Sequence, residues 1–321
     1  MRTTPRSTAI GVATVAVGAG LWGTDALFRR GLALDAAAAS VVFWEHALLA
    51  VILAVPLWRR RHMLSELTRA DWVSLLLIGV GASALATLAF TRALSTGDPT
   101  TPLLLQKIQP LVAIVGARVI LGERPRARLA LFVVPAIAGA YLITFAEPTV
   151  IVPRTLEAGA LGVAAATLWA LGTVLGRRMT GPLDTTALTG MRFAIGLPAA
   201  AVAVLATGAA VVPSGNAVPA IVGLSLVPGL AALLLYYRGL RNAPASLATL
   251  AELAFPVVAI IVGRVAFDAT LTVTQVIGVV LLTGSVTTLS LVGRRGPEAA
   301  GVVIGGSPRH APVVAASGAP A

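Results

Sequence analysis

The feature that most restricts this chain is the recurrence of apolar runs about twenty residues long, separated by short arginine-bearing turns. A helix needs about 20 apolar residues to cross a bilayer. Ten runs qualify, over 8–28, 36–57, 72–94, 100–120, 128–146, 157–176, 185–208, 217–238, 245–265 and 273–293. The expected fold class is therefore an all-α membrane protein with ten transmembrane helices. Residues 1–7 form a short N-terminal extension. The Gly-, Pro-, Ala- and Ser-rich stretch 294–321 reads as a disordered tail.

Composition agrees and excludes other classes. Of the 321 residues, 57% are hydrophobic and only 12% charged, about half the charged share of an ordinary soluble domain. A soluble enzyme is ruled out on that ground. With no cysteine in the chain, disulfide scaffolds, thiol chemistry and cysteine-ligated metal sites go too. The three histidines, His46, His62 and His310, lie far apart without ligand spacing, so no metal site is expected. No phosphate-binding loop or hydrolase motif occurs, and no cofactor is expected. Residues 1–28 have the charge pattern of a signal peptide, but the apolar run is too long and ends in Trp22 and Asp25. It reads as a retained first span.

A net charge of +11 would suit nucleic acid if the basic residues formed one block. They are instead dotted between apolar runs, which in a membrane protein sets orientation. With the N-terminus inside, cytoplasmic segments hold 17 of the basic residues and outer segments hold 5, namely Arg29, Arg30, Arg92, Arg154 and Arg264. Lys107 and Arg192 fall within spans. Both termini are expected in the cytoplasm, with the chain in the bacterial inner membrane.

The chain also resembles itself. Arg92, Leu94, Leu104, Pro110, Val112, Arg118 and Val119 recur 146 residues later as Arg238, Leu240, Leu250, Pro256, Val258, Arg264 and Val265. Apolar matches arise freely between membrane helices; two arginines and a proline in register do not. Each half, 8–146 and 157–293, holds five spans, so the second half enters from the opposite side. The expectation is two inverted five-helix repeats. Secondary transporters of that design hold their solute near the midplane, between the repeats.

Gln106-Lys107-Ile108-Gln109-Pro110-Leu111, followed by Leu121-Gly122-Glu123-Arg124, resembles the fourth span and next loop of EamA-type carriers of the drug/metabolite transporter superfamily. Leu21-Trp22-Gly23, Met191-Arg192-Phe193 and Tyr236-Tyr237-Arg238-Gly239-Leu240 resemble that family's first, seventh and eighth spans. The resemblance runs over about 8–293. It implies two five-helix repeats and export of small metabolites, amino acids or drugs. The second copy of the Gly-Glu-Arg loop is degenerate, reading Asp268-Ala269-Thr270, so no role passes to it.

Ionisable groups deep in a span are costly unless paired or hydrated, which makes each a functional candidate. Glu45, Lys107, Arg192 and Glu252 qualify, at depths of roughly 10–14 Å from a span end. Matching depths suggests two pairs, Glu45 with Lys107 and Arg192 with Glu252. Such pairs either fix helix register permanently or serve a solute and its coupling. An amino acid would suit them, its carboxylate on Lys107 or Arg192 and its ammonium on Glu45 or Glu252; either glutamate is also a candidate proton carrier. Gln106, Gln109, Trp22 and Trp169 are further candidates for solute contact, although packing explains both tryptophans. His46 reads as a packed or hydrogen-bonded histidine, and Asp25 as hydrated. Pro110 and Pro256 are expected to kink equivalent helices.

The reading that follows is a secondary transporter exporting a small solute, with protons as a candidate partner. The bilayer is its environment, nucleic acid is no partner, and the oligomeric state is open. Two alternatives stand beside it. One is a non-transporting scaffold or lipid-handling protein whose charge pairs are structural. The other is an intramembrane lipid-modifying enzyme, which the arginine-dominated loops poorly equip.

Overall fold

The computed structural model describes residues 5–96, 100–109, 112, 130–144, 153–179, 181–210, 217–240, 251 and 254–292. The described residues are helices and short turns, with no strand among them. Six stretches are long and apolar enough to cross a membrane: Ala9–Asp35, Ala38–Arg59, Arg69–Thr96, Pro153–Gly176, Thr185–Thr207 and Val218–Gly239. Three shorter apolar helices accompany them, at Val134–Ile143, Val257–Phe267 and Val273–Ser285. Of the expected fourth span, the helix Thr100–Leu105, the turn Gln106–Ile108 and the single residues Gln109 and Val112 are described. The tail 294–321 and Pro110 lie outside the described residues.

Short polar residues start the helices. Thr68 accepts from the Asp71 amide while the Asp71 carboxylate accepts from the Thr68 amide, a reciprocal cap on Arg69–Leu76. Asp184 accepts from the Ala187 amide at 2.7 Å to open Thr185–Thr207. Thr272 and Gln275 cap Val273–Val292 in the same reciprocal way. Gln275 also donates to the Ile143 carbonyl at 3.3 Å, tying that helix to the end of Ala130–Thr144. Gly208 closes Thr185–Thr207 with φ of 62°, a left-handed turn that glycine adopts without strain.

The first span is longer than the expected 8–28. The helix Pro5–Gly23 breaks at Thr24, and a second helix, Asp25–Asp35, continues it. Arg29 and Arg30 therefore sit on a helix that packs on the bundle, and Arg29 is buried rather than placed in an outer loop. The reason is local. Ala26, Leu32 and Ala33 form an apolar stripe with Arg29 on the helix, and all four are buried.

The packing pairs one part of the chain with the other. Pro5–Gly23 lies on Ala232–Leu240 and on Ala254–Phe267; Ala38–Arg59 lies on Thr185–Thr207. Pro153–Met179 receives Leu77–Leu85, Ala86–Thr96 and Thr100–Leu105, and Ala130–Thr144 lies on Val273–Val292. Glycines permit the closest crossings. A Cβ on Gly139 would stand 2.7 Å from the Gly278 carbonyl oxygen, and one on Gly278 would stand 2.7 Å from that of Gly139. Small residues at such crossings let backbones approach in a medium where helix association depends on contact.

Two helices widen into π-helical turns, at Leu77–Leu85 and at Ser225–Ala231. Such turns are rare and concentrate at functional sites. Polarity is inverted relative to a soluble protein. Val51, Val55, Val202, Leu205, Val265 and Val280 are 60–79% exposed, an apolar surface suited to lipid. Arg29, Glu45, His46, Ser83 and Thr91 are buried.

Candidate functional site

Arg29 organises the buried charges. Asp25 precedes it by one turn on the same helix, the spacing at which an acid and a base face each other. Its Nε donates to Asp25 Oδ1 at 2.6 Å, and Nη2 donates to Oδ2 at 2.8 Å. Nη1 donates to Glu45 Oε2 at 2.8 Å and Nη2 to Oε1 at 3.0 Å. Nη1 also donates to Thr91 Oγ1 at 3.1 Å, and that hydroxyl donates to the Thr87 carbonyl at 2.7 Å. A guanidinium carries five N–H donors, and these bonds use all five. One cation thus joins two carboxylates and three helices.

The depth argument sets Glu45 against Lys107; among the described side chains, Glu45 is bound by Arg29. Lys107 stands in the turn Gln106–Ile108, with its side chain outside the described residues. Asp25, expected to be hydrated, is held by Arg29.

A second polar group adjoins the first through the next residue of the same helix. His46 Nδ1 lies 2.8 Å from the Val42 carbonyl and Nε2 lies 2.9 Å from Ser83 Oγ. A carbonyl only accepts, so Nδ1 carries the proton, and in the neutral ring Nε2 accepts from the Ser83 hydroxyl. Ser83 in turn accepts from Arg192 Nε at 3.3 Å, while Arg192 Nη2 donates to the Ala82 carbonyl at 2.9 Å. The result is a directed chain, Arg192 to Ser83 to His46 to the Val42 backbone. Ser83 and Ala82 belong to the π-helical turn, whose geometry presents a carbonyl and a hydroxyl to Arg192 from the Arg69–Thr96 span. Glu252, the expected partner of Arg192, lies outside the described residues.

The ring of His46 is held edge-on to Phe193, with centroids 5.3 Å apart. One turn beyond Phe193 on the same helix, a Cβ at Gly196 would stand 2.6 Å from His46 Cδ2, so glycine there makes room for the ring. A Cβ at Gly229, in the second π-helical turn, would stand 3.8 Å from Glu45 Oε1. The Glu45 carboxylate thus stands beside the backbone of Gly229.

The remaining candidates take up more ordinary positions. Trp22 stacks at a tilt on Tyr236 with centroids 4.7 Å apart, and Tyr236 meets Tyr237 at 5.9 Å. Trp169 packs edge-on to Phe90 at 5.3 Å. Gln106 and Gln109 are half-buried in the first half of the expected fourth span. Pro256 lies in the helix Ala254–Phe267.

Sequence reasoning missed Arg29 as a site residue. The signal was present in the Asp25-to-Arg29 spacing and in the apolar Leu32 and Leu34 beyond it, which prolong the helix past the expected boundary.

Comparison with known proteins bears on this arrangement. The sequence profile of the EamA-like transporter family matches residues 9–145 and again 158–291. A relative at 26% identity over 294 residues is the riboflavin transporter ImpX of Fusobacterium nucleatum subsp. nucleatum; the match spans 87% of this chain and 97% of that protein. A solved crystal structure at 22% identity superposes with a TM-score of 0.59, over 90% of this chain and 98% of its own, which shows a shared fold.

Proposed function

The chain belongs to the EamA-like transporter family, and from that premise we propose that it is a secondary carrier of a small metabolite, built from ten spans in two inverted halves. Membrane transport is common ground between the family and the named relative. The finer reading rests on one observation above all: a buried polar centre to which both halves contribute. Arg192 of the second half binds Ala82 and Ser83 of the first, and Glu45 of the first half faces Gly229 of the second. A permanent scaffold has no need to bury so many ionisable groups at the junction of its halves.

The packing pattern supports the inverted halves. Exchange of the halves turns the pairing of the first span with the eighth into that of the sixth with the third. It likewise turns the first-with-ninth pairing into sixth-with-fourth, and leaves second-with-seventh and fifth-with-tenth unchanged. The two π-helical turns fall in the third and eighth spans, which the same exchange relates. Alternating access then consists of one half rocking against the other about the shared centre. The termini lie in the cytoplasm, as the arginine distribution favours, and the solute is exported. Lys107, Arg192, Glu45 and Glu252 are the groups assigned to solute binding and coupling, and an amino acid is the solute class that suits their mixed charges.

The test is solute flux in proteoliposomes, with and without an imposed pH gradient. The panel covers amino acids, small metabolites and riboflavin, the last because the relative carries that name. Flux that follows the gradient and disappears in Glu252→Gln is the expected result and ties coupling to that carboxylate. Flux indifferent to the gradient removes the proton. Absence of flux for every solute transfers the weight to a scaffold or lipid-handling role.

A further inference from the structure

The helix Asp25–Asp35 touches the bundle where other helices end. Arg30 Nη1 donates to the carbonyl of Leu94, in the last turn of Ala86–Thr96, at 3.0 Å. The Arg30 guanidinium also lies 5.5 Å from the ring centroid of Phe267, the last residue of Ala254–Phe267. Phe28 presses on Gly223 so closely that a Cβ there would overlap its ring. Through Arg29 the helix is tied to Glu45 and Thr91. One eleven-residue helix therefore bridges both parts of the chain across one end of the bundle. Inward from it lie His46, Ser83 and Arg192.

We propose that Arg29 bolts the Asp25–Asp35 helix over this end of the carrier as a gate, and that release of its bonds to Glu45 and Thr91 opens the inner polar centre to water from that side. The inference rests on the carrier reading above. Its physical basis is an asymmetry in the partners of Arg29. A buried ion pair is hard to break because a bare charge is left behind. Here Asp25 lies on the same helix as Arg29 and holds it through two bonds of its own. The pair Asp25–Arg29 can swing away with no net charge. Only Glu45 is left uncovered, and it meets water as the end opens. A guanidinium held by one intrahelical and one interhelical carboxylate is thus a reversible bolt, where a single interhelical pair would be a permanent rivet. The one-residue turn at Thr24, where the two helices join, is the place in the span for the pivot.

The absence of native cysteine allows a direct test on the full chain purified in detergent, where sidedness is irrelevant. Leu49 is fully buried one turn beyond Glu45, with a methyl 3.3 Å from a Cβ placed on Gly229. Leu282 is fully buried at the distant contact with Ala130–Thr144. Each is replaced singly by cysteine, and its rate of reaction with a water-soluble maleimide is measured. Adding Glu45→Gln is expected to speed labelling at Leu49→Cys by about tenfold or more while leaving Leu282→Cys unchanged. Arg29→Lys, which keeps the charge but loses the fork that spans two carboxylates, is expected to give a smaller increase at the same position. An unchanged rate at Leu49→Cys overturns the gate. Equal acceleration at both positions overturns it as well, because the bonds then stabilise the fold at large. The carrier reading fails separately, by absence of flux in the unmodified protein, since labelling requires no solute.

Discussion

The Arg29 guanidinium and the Glu45 carboxylate meet fork to fork, through bonds of 2.8 and 3.0 Å, from two different helices. Both groups are buried. The geometry matters because the same guanidinium holds Asp25 equally well, so the two carboxylates depend on one cation.

That dependence predicts unequal costs for the two ends of the bond. Arg29→Met leaves Asp25 and Glu45 facing each other without a cation and should destabilise the protein by about 3–5 kcal/mol. Glu45→Gln leaves Arg29 with Asp25 and should cost clearly less. Equilibrium unfolding in a detergent titration, followed by tryptophan fluorescence, orders the two variants. Equal losses would show that Asp25 does not compensate Arg29.

The crossing of Gly139 and Gly278 predicts a second effect. Either glycine replaced by alanine puts a Cβ 2.7 Å from a backbone carbonyl oxygen that cannot turn aside, and should cost about 1–3 kcal/mol. Gly31→Ala, where nothing lies within 4 Å of the added carbon, should be neutral or stabilising by up to about 1 kcal/mol. A stability loss at Gly31 equal to that at Gly139 would remove the close crossing as the cause.

Asp184 supplies a prediction in pH. Its partial burial alone would raise the carboxyl pKa, but the Ala187 amide and the Arg60 guanidinium outweigh that and hold it below the usual carboxylate range. A group whose folded pKa is depressed stabilises the fold above its unfolded pKa and loses that contribution as pH falls through the folded value. Wild type should therefore exceed Asp184→Ala in stability at neutral pH by about 1 kcal/mol, most of it from the helix cap, since the ion pair with Arg60 is a third exposed and worth little. The difference should shrink below about pH 4. Melting curves of both proteins across pH 3–7 test it, and a difference that grows on acidification would refute the assignment.

Lys107 is the one lysine of the chain and is assigned to solute binding. Lys107→Met should abolish flux in proteoliposomes while leaving membrane insertion and yield intact. Normal flux in that variant would sink the central role of Lys107.

How far the chain could be read in advance differs from feature to feature. The apolar runs announced a multi-span helical membrane protein, because the length and hydropathy of a run are properties of consecutive residues. Family resemblance was legible for the same reason in Gln106-Lys107-Ile108-Gln109-Pro110-Leu111 and its neighbours. His46 was legible as a hydrogen-bonded histidine, and a structure was needed only to name Val42 and Ser83 as its partners. The partner of Glu45 was not legible. Depth along a span constrains how far down a charge sits, and several charges share a depth.

By itself, then, the amino-acid order determined the class, an all-helical membrane protein with several apolar spans, and the local caps at Thr68, Asp184 and Thr272, each a consequence of residues close together in the chain. Tertiary structure alone decided that Glu45 binds Arg29 and that Arg192 reaches Ser83 across the two parts of the chain. Those contacts depend on which helix faces meet, at separations of 16 and 109 residues. The low polarity around them makes a charge take whichever partner the packing brings within reach.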